Sequence, residues 1–179
     1  LKAGDKIYAV HMGKTLMMVA IGTNDIEKGM RILGSHIDSP RLDLKQNPLY
    51  EDSDLALMET HYYGGVKKYQ WVALPLAIHG VVAKKNGEVL NVVIGEDEKD
   101  PVIGVSDLLI HLSADQLAKK ASNVVEGEDL NILVGSIPIK DKDVKEKVKY
   151  NILKLLNEKY GLAEDDFISA ELEVVPAGK

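Results

Sequence analysis

The sequence predicts a mostly β, α+β fold: a β-rich unit with one long helix, preceded by a strand-rich segment of different character. Three observations carry this. Asn86-Gly87 separates two β-rich apolar runs, residues 72–85 and 88–94, the strongest short-range signal for a type I′ hairpin. Gly13-Lys14 separates two further runs, residues 6–12 and 15–21, a second hairpin signal. Residues 142–160 place Val144, Val148, Ile152, Leu155, Leu156 and Tyr160 at intervals of three and four. That is the stripe of an amphipathic helix, and Gly161 stands where a left-handed glycine would end it.

The remaining elements follow in order. Residues 24–29 are polar and turn-like. Residues 30–36 read as a strand that leads into Gly34-Ser35-His36-Ile37-Asp38-Ser39-Pro40, where Pro40 has no N–H to continue a ladder. Residues 45–53 are polar, contain Pro48, and read as a crossing between units. Residues 58–63 form a short strand, and Gly64-Gly65 marks backbone that needs unusual dihedrals or close approach. Residues 101–112 are apolar and end in Leu109-Ile110-His111-Leu112. Residues 113–121 suit a short helical turn and residues 131–139 a strand. Residues 167–175 read as a strand with Phe167, Ser169, Glu171 and Glu173 on one face. Ile168, Ala170, Leu172 and Val174 lie on the other.

Composition narrows the function classes. The 179 residues are 45% hydrophobic and carry a formal charge of −6, which excludes a disordered chain and argues against a nucleic-acid partner. Every hydrophobic stretch is broken too soon to span a membrane, and no signal peptide is visible. With no cysteine, disulfides and thiolate metal sites are excluded, and a cytoplasmic setting is the expectation. Any metal must be held by His and carboxylates. One Trp and one Phe are too few for recognition by stacking.

His36 and Asp38 are the first chemical candidates. On an extended segment residues i and i+2 share a side, and a metal-binding imidazole needs its second nitrogen held by an acceptor. His-x-Asp supplies both groups, although the bare tripeptide is common by chance. His11, His61 and His79 stand in no metal-ligand spacing and read as structural. His111, flanked by apolar residues, reads as a core or interface histidine. There is no Gly-x-Ser-x-Gly elbow and no phosphate-binding loop. The acidic runs at residues 96–98 and 164–166 read as solvated loops. Arg41, Lys67 and Lys68 read as surface cations.

Taken in order, these segments resemble the aspartyl aminopeptidase family of dinuclear zinc exopeptidases. His36-Ile37-Asp38-Ser39-Pro40 is similar to that family's first metal motif. Tyr62-Tyr63-Gly64-Gly65 with Trp71 resembles its Tyr-Gly-Gly segment, with Val66 where a third Gly is common. The segment ending Ile110-His111-Leu112 resembles its Ile-His-Leu close, and Ser169-Ala170-Glu171-Leu172 with Pro176-Ala177 also fits.

The resemblance implies an α/β zinc-peptidase domain with two zinc ions, interrupted by a β-rich oligomerisation domain. Residues 1–46 would be the end of the first peptidase segment, 47–175 the inserted domain, and 176–179 the return. His36 would ligate zinc and Asp38 would hold its imidazole. His111 would reach the active site of a neighbouring subunit in a homo-oligomer, a tetrahedral dodecamer. The reaction would be release of N-terminal residues, acidic ones by family preference, from a peptide substrate. The chain has no Glu-Glu pair for the general base and no match to the remaining ligand segments. It therefore reads as an incomplete, inactive portion of a longer enzyme. The alternative is a stand-alone, non-catalytic β-rich binding or assembly module.

Overall fold

The structure, a computed structural model, describes residues 1–178. They fall into two compact units, residues 1–38 and 39–178.

The first unit is built on an antiparallel hairpin, β1 (Lys6–His11) and β2 (Thr15–Ala20), paired from Lys6↔Ala20 to His11↔Thr15. Met12 and Gly13 turn it with φ of 52° and 69°, and the Lys14 N–H donates to the His11 carbonyl at 3.0 Å. The strand expected at residues 30–36 does not form, and residues 29–40 have no regular structure. Leu33 is fully exposed and Ile32 nearly so. The apolar pattern is there, but a strand needs a ladder partner for its backbone groups, and none is described for this one.

The second unit holds β3 (Arg41–Asp52), β4 (Leu55–Tyr63), α1 (Lys68–Trp71), β5 (Leu76–Ala83) and β6 (Val89–Ile94). These are followed by β7 (Gly104–Val105), α2 (Ala114–Leu117), β8 (Ile132–Gly135), α3 (Lys147–Tyr160) and β9 (Ala170–Pro176). Seven of the strands form one antiparallel sheet in the order β6-β5-β9-β3-β4-β8-β7.

Residues 45–53 correct the sequence reading, because they are strand and not a crossing. Pro48 is tolerated because the β3–β4 register shifts between Leu44 and Leu49, where Asn47 takes φ 50°. A bulge needs no N–H from the proline, and the ring is buried in the core. The polar run is satisfied by ion pairs, with Lys45 3.3 Å from Glu128 and 3.7 Å from Glu59.

The β5–β6 hairpin is where the sequence places it, but its turn is not type I′. Only Gly87 has positive φ. The Gly87 N–H donates to the Lys84 carbonyl at 2.9 Å, and the Asn86 side chain accepts the Glu88 N–H at 3.0 Å. That side-chain bond leaves Asn86 outside the left-handed region and closes a longer loop on the glycine. The tight two-residue turn with both φ positive is Ser53-Asp54, at 51° and 61°, between Asp52 and Leu55 of β3 and β4.

The helix forms, starting later than its periodic pattern suggests. It begins where Glu51 of β3 supplies an acceptor: one carboxylate oxygen takes the N–H groups of both Val148 and Lys149, each at 2.8 Å. A carboxylate at a helix N-terminus offsets unpaired donors and the positive end of the helix dipole. Gly161 ends α3 in the left-handed conformation, φ 63° and ψ 30°. Val148, Ile152 and Leu156 are buried. Gly135 of β8 lets the helix close in, since a Cβ there would lie 2.6 Å from Ile152 Cδ1.

The last strand starts at Ala170, because residues 164–169 form a 3-10 turn. Its alternation is as expected from there on, with Leu172 and Val174 buried. Phe167 is buried as well, since the turn's period of three replaces the strand's period of two. As strand, residues 101–112 contain only the two-residue β7, with a 3-10 turn at Ile110–Leu112, and residues 131–139 only β8. The helical turn expected at residues 113–121 is α2.

The C-terminal turn of α3 is tied to the sheet through Lys159, whose Nζ lies 2.6 Å from Asp100 Oδ1, while Asp100 Oδ2 accepts the Gly95 N–H at 2.9 Å. Burial pushes the Asp100 carboxyl up, but Lys159 and the Gly95 N–H outweigh it, and its pKa lies below the ordinary value. A depressed folded-state pKa stabilises at pH above the unfolded value, about 3.9, and is lost as pH falls through the folded one. Asp100→Asn is therefore expected to cost about 1–3 kcal/mol at pH 7 and to shrink the loss of stability on acidification. Urea unfolding of both proteins between pH 7 and pH 3 measures this.

Candidate functional site

His36 and Asp38 lie together in the irregular stretch that ends the first unit. The His36 Nδ1 is 3.2 Å from the Asp38 carbonyl oxygen and 3.3 Å from Asp38 Oδ1. Both neighbours are acceptors, so the neutral tautomer that satisfies them has its proton on Nδ1 and its lone pair on Nε2. Ser35 Oγ donates to the His36 carbonyl at 3.2 Å. The imidazole is 85% exposed and Asp38 about half. Such an imidazole is prepared as a metal ligand through Nε2, with Asp38 as the group that orients it.

The pair is not a complete metal site. Zinc takes three or four protein ligands, and among the described residues no group of three or more His, Asp or Glu side chains converges. The residues present fit zinc as one ligand and its orienting carboxylate, and no further.

His111 stands elsewhere in sequence and is not a core residue. It occupies a 3-10 turn, Ile110–Leu112, and is exposed, as are Leu108, Leu109, Ile110 and Leu112. The segment is held locally. Asp107 Oδ1 accepts the Leu108 N–H at 2.8 Å and the Gln116 side-chain amide at 2.9 Å, and Ser113 Oγ donates to the Ile110 carbonyl at 3.1 Å. An ordered turn thus presents the imidazole on an apolar surface.

Of the other histidines, His61 stacks on Tyr62 with centroids 5.6 Å apart. His79 pairs with Glu96 at 2.9 Å, and Glu96 also accepts the Gly178 N–H at 2.9 Å. These are structural roles.

Arg41 is not a surface cation. It is 19% exposed, with Nε 2.7 Å from Asp43 Oδ1 and 3.1 Å from Glu173 Oε1, and its guanidinium lies 4.3 Å over the Tyr63 ring. Burial opposes its charge, and the Asp43 hydrogen bond with the two carboxylates more than restores it, so its pKa is raised. The sequence signal was the spacing of Arg41 and Asp43, which share a face once residues 41–52 are read as strand. Two motif fragments also meet here, because Gly64, with φ 75°, lies against Pro40, and a Cβ on it would be 3.5 Å from the Pro40 ring.

A cavity of about 340 Å³ lies between α3 and the sheet, walled by Met58, Ile78, Ile103, Val134, Ile152 and Leu156. Of its polar lining groups, Asp100 pairs with Lys159, Glu158 lies 3.8 Å from Lys154, and Tyr160 Oη donates to the Val93 carbonyl. It is lined by no histidine, and among the described residues its carboxylates belong to no group of three or more metal-ligating side chains.

The strand that leads into the sheet unit and the strand that leads out are neighbours: Leu42 pairs with Val174 and Asp43 with Glu173. No described helix is long and apolar enough to cross a membrane.

Residues 1–179 match the family described as aminopeptidase I zinc metalloprotease, M18. A probable M18 family aminopeptidase 1 from Clostridium acetobutylicum is 68% identical over 179 residues, covering 100% of this chain and 38% of its own length. The crystal structure of aminopeptidase I from the same organism superposes with a TM-score of 0.88, again over 100% of this chain and 39% of that one. An M18 aminopeptidase structure from Thermotoga maritima gives 0.88 at 46% identity, over 97% of this chain and 38% of that one. The yeast mApe1 dodecamer shares the fold at 22% identity, with a TM-score of 0.62, over 99% of this chain and 38% of that one. The chain thus spans about two fifths of the length of these relatives.

The 179-residue chain is expected to bind zinc no more tightly than an isolated imidazole–carboxylate pair, with His36→Ala removing that binding. Calorimetric titration measures this, and a tight stoichiometric site would contradict it.

Proposed function

The chain belongs to the M18 family of aminopeptidase I zinc metalloproteases, and we propose that it is the part of such an enzyme carrying the first metal motif and an inserted β-rich domain. The peptidase segment, expected to run to about residue 46, ends sooner, because β3 runs unbroken over Arg41–Asp52 within the sheet unit that begins at Ser39; the inserted domain then covers residues 39–175, and the return begins at 176. One observation carries this reading. The incoming strand, three residues after Asp38, and the outgoing strand pair with each other at Leu42↔Val174. A domain whose two ends lie side by side can be set into a host fold without disturbing it.

The proposed activity is removal of N-terminal residues, acidic ones among them, from peptides. Zinc, as two ions in the whole enzyme, supplies an activated water and polarisation of the scissile carbonyl when bound. His36 offers Nε2 to one ion, and Asp38 fixes the tautomer and the ring orientation through Nδ1. The general base and the other ligands belong to parts of the family's sequence that this chain does not match.

His111 is proposed to act in a neighbouring subunit's site. Its exposure on an ordered apolar turn supports this, as does the dodecamer formed by yeast mApe1. There the imidazole would bind substrate or donate to the developing oxyanion. The assembly is proposed as a homo-dodecamer. A cytoplasmic setting is part of the same reading, supported by the absence of cysteine.

In the full-length enzyme His36→Ala is expected to lower zinc content. His111→Phe is expected to leave zinc content unchanged and to lower kcat by about 100-fold. Metal analysis and steady-state kinetics on the two variants test the assignment; unchanged kinetics for His111→Phe, or full zinc in His36→Ala, would refute the corresponding role.

A further inference from the structure

Helix α3 is tied to the sheet at both ends. At its first turn the Val148 and Lys149 N–H groups donate to Glu51 of β3, each at 2.8 Å. At its last turn Lys159 Nζ lies 2.6 Å from Asp100 Oδ1, and Tyr160 Oη accepts the Val93 N–H of β6 at 3.2 Å. Between these ties lies the cavity of about 340 Å³. Interiors normally pack without gaps of this size, but a helix held at both ends cannot settle further without breaking those bonds. The gap follows from how α3 is tethered.

Met58, Ile78, Ile103 and Val134 form one wall and Ile152 and Leu156 the other, all six buried. Such walls give water no hydrogen-bond partners and favour an apolar occupant. Toward solvent stand Leu155, which is exposed, and four charged side chains, Lys99, Asp100, Glu158 and Lys159. Two cations and two carboxylates leave this rim with no net charge. Asp100 is committed to Lys159, Glu158 lies 3.8 Å from Lys154, and Lys99 sits between Glu98 and Asp100 in the chain. A rim balanced in this way does not favour a charged head group, which would lose hydration for no net attraction. An apolar cavity of about 150 Å³ takes benzene, so this one takes a molecule of about two aromatic rings.

We propose that the space between α3 and the sheet is a binding site for a neutral, apolar small molecule with the bulk of a two-ring aromatic. Bound there, the molecule packs α3 and the sheet against each other and stabilises the folded unit by mass action.

The test uses the full-length enzyme with isotope-labelled isoleucine methyl groups, titrated with naphthalene and with two charged counterparts, naphthoate and naphthylmethylammonium. Naphthalene is expected to shift the Ile78, Ile103 and Ile152 methyl signals saturably. Ile137 and Ile168, which are exposed and do not line the cavity, should stay in place. The charged probes are expected to bind about 10-fold more weakly or worse. Val134→Phe fills the space from β8 and is expected to weaken naphthalene by about 10-fold or more. Leu155→Glu sets a carboxylate at the entrance and is expected to weaken it several-fold; because Leu155 is exposed, this variant keeps the test open if Val134→Phe does not fold. Equal shifts at Ile137 and Ile168, equal affinity for naphthoate, or native affinity in a folded variant would overturn the proposal. So would unmoved Ile78, Ile103 and Ile152 signals, the result if a second copy of the chain or a segment outside residues 1–179 already fills the space.

Discussion

The ladder that β9 makes with its two neighbours holds the sheet unit together. On one side β9 pairs with β5 from Ala170↔Val82 to Pro176↔Leu76, and on the other with β3 at Leu42↔Val174 and Asp43↔Glu173. Without it the ladders divide into β5–β6 and β3–β4 with β8 and β7, linked by the bridge Leu76↔Ile103 at the start of β5. The join is close, since a Cβ on Gly80 would lie 2.0 Å from the Glu171 carbonyl oxygen, so only glycine admits the strand there. Leu172, Val174, Leu42, Ile78 and Val82 are buried around it. Side chains buried to this extent are worth about 1.5–3 kcal/mol each.

This constraint reaches both ends of β3. β3, placed by β9 on one side and β4 on the other, aims Glu51 at the first turn of α3. With the helix end fixed, Val148, Ile152 and Leu156 bury their stripe on the sheet. At the other end of β3, Glu173 of β9 grips Arg41, just past His36 and Asp38. One late strand therefore organises both the core and the start of β3. Local hairpins can form early, but the unit closes only when its last strand is in place.

Much of the fold was legible in the sequence, and the errors share a cause. Helix α3 and the hairpins rest on local periodicity and glycine placement, so the residues themselves declare them. Residues 45–53 were misread because Pro48 and a polar run argue against a strand locally, while the bulge at Asn47 and the ion pairs of Lys45 come from distant residues. Residues 30–36 were misread in the opposite sense, as the strand pattern is present but no pairing partner stands among the described residues. Asn86-Gly87 marked a hairpin but not its turn type, because a side-chain bond to Glu88 decided the dihedrals. The His36–Asp38 pair was visible because it depends on spacing alone. The Arg41 cage was not, since Glu173 and Tyr63 reach it only through the sheet.

The role of β9 is open to a direct measurement: amide hydrogen exchange on the chain ended after Ser169, compared with the full 179 residues. If β9 closes the sheet, removing it strips protection from β5 and β6 and from β3 and β4 together, and α3 loses protection with them. If the amides of Ile78, Val82 and Leu42 exchange as slowly as before, the sheet does not depend on β9 and the account is contradicted.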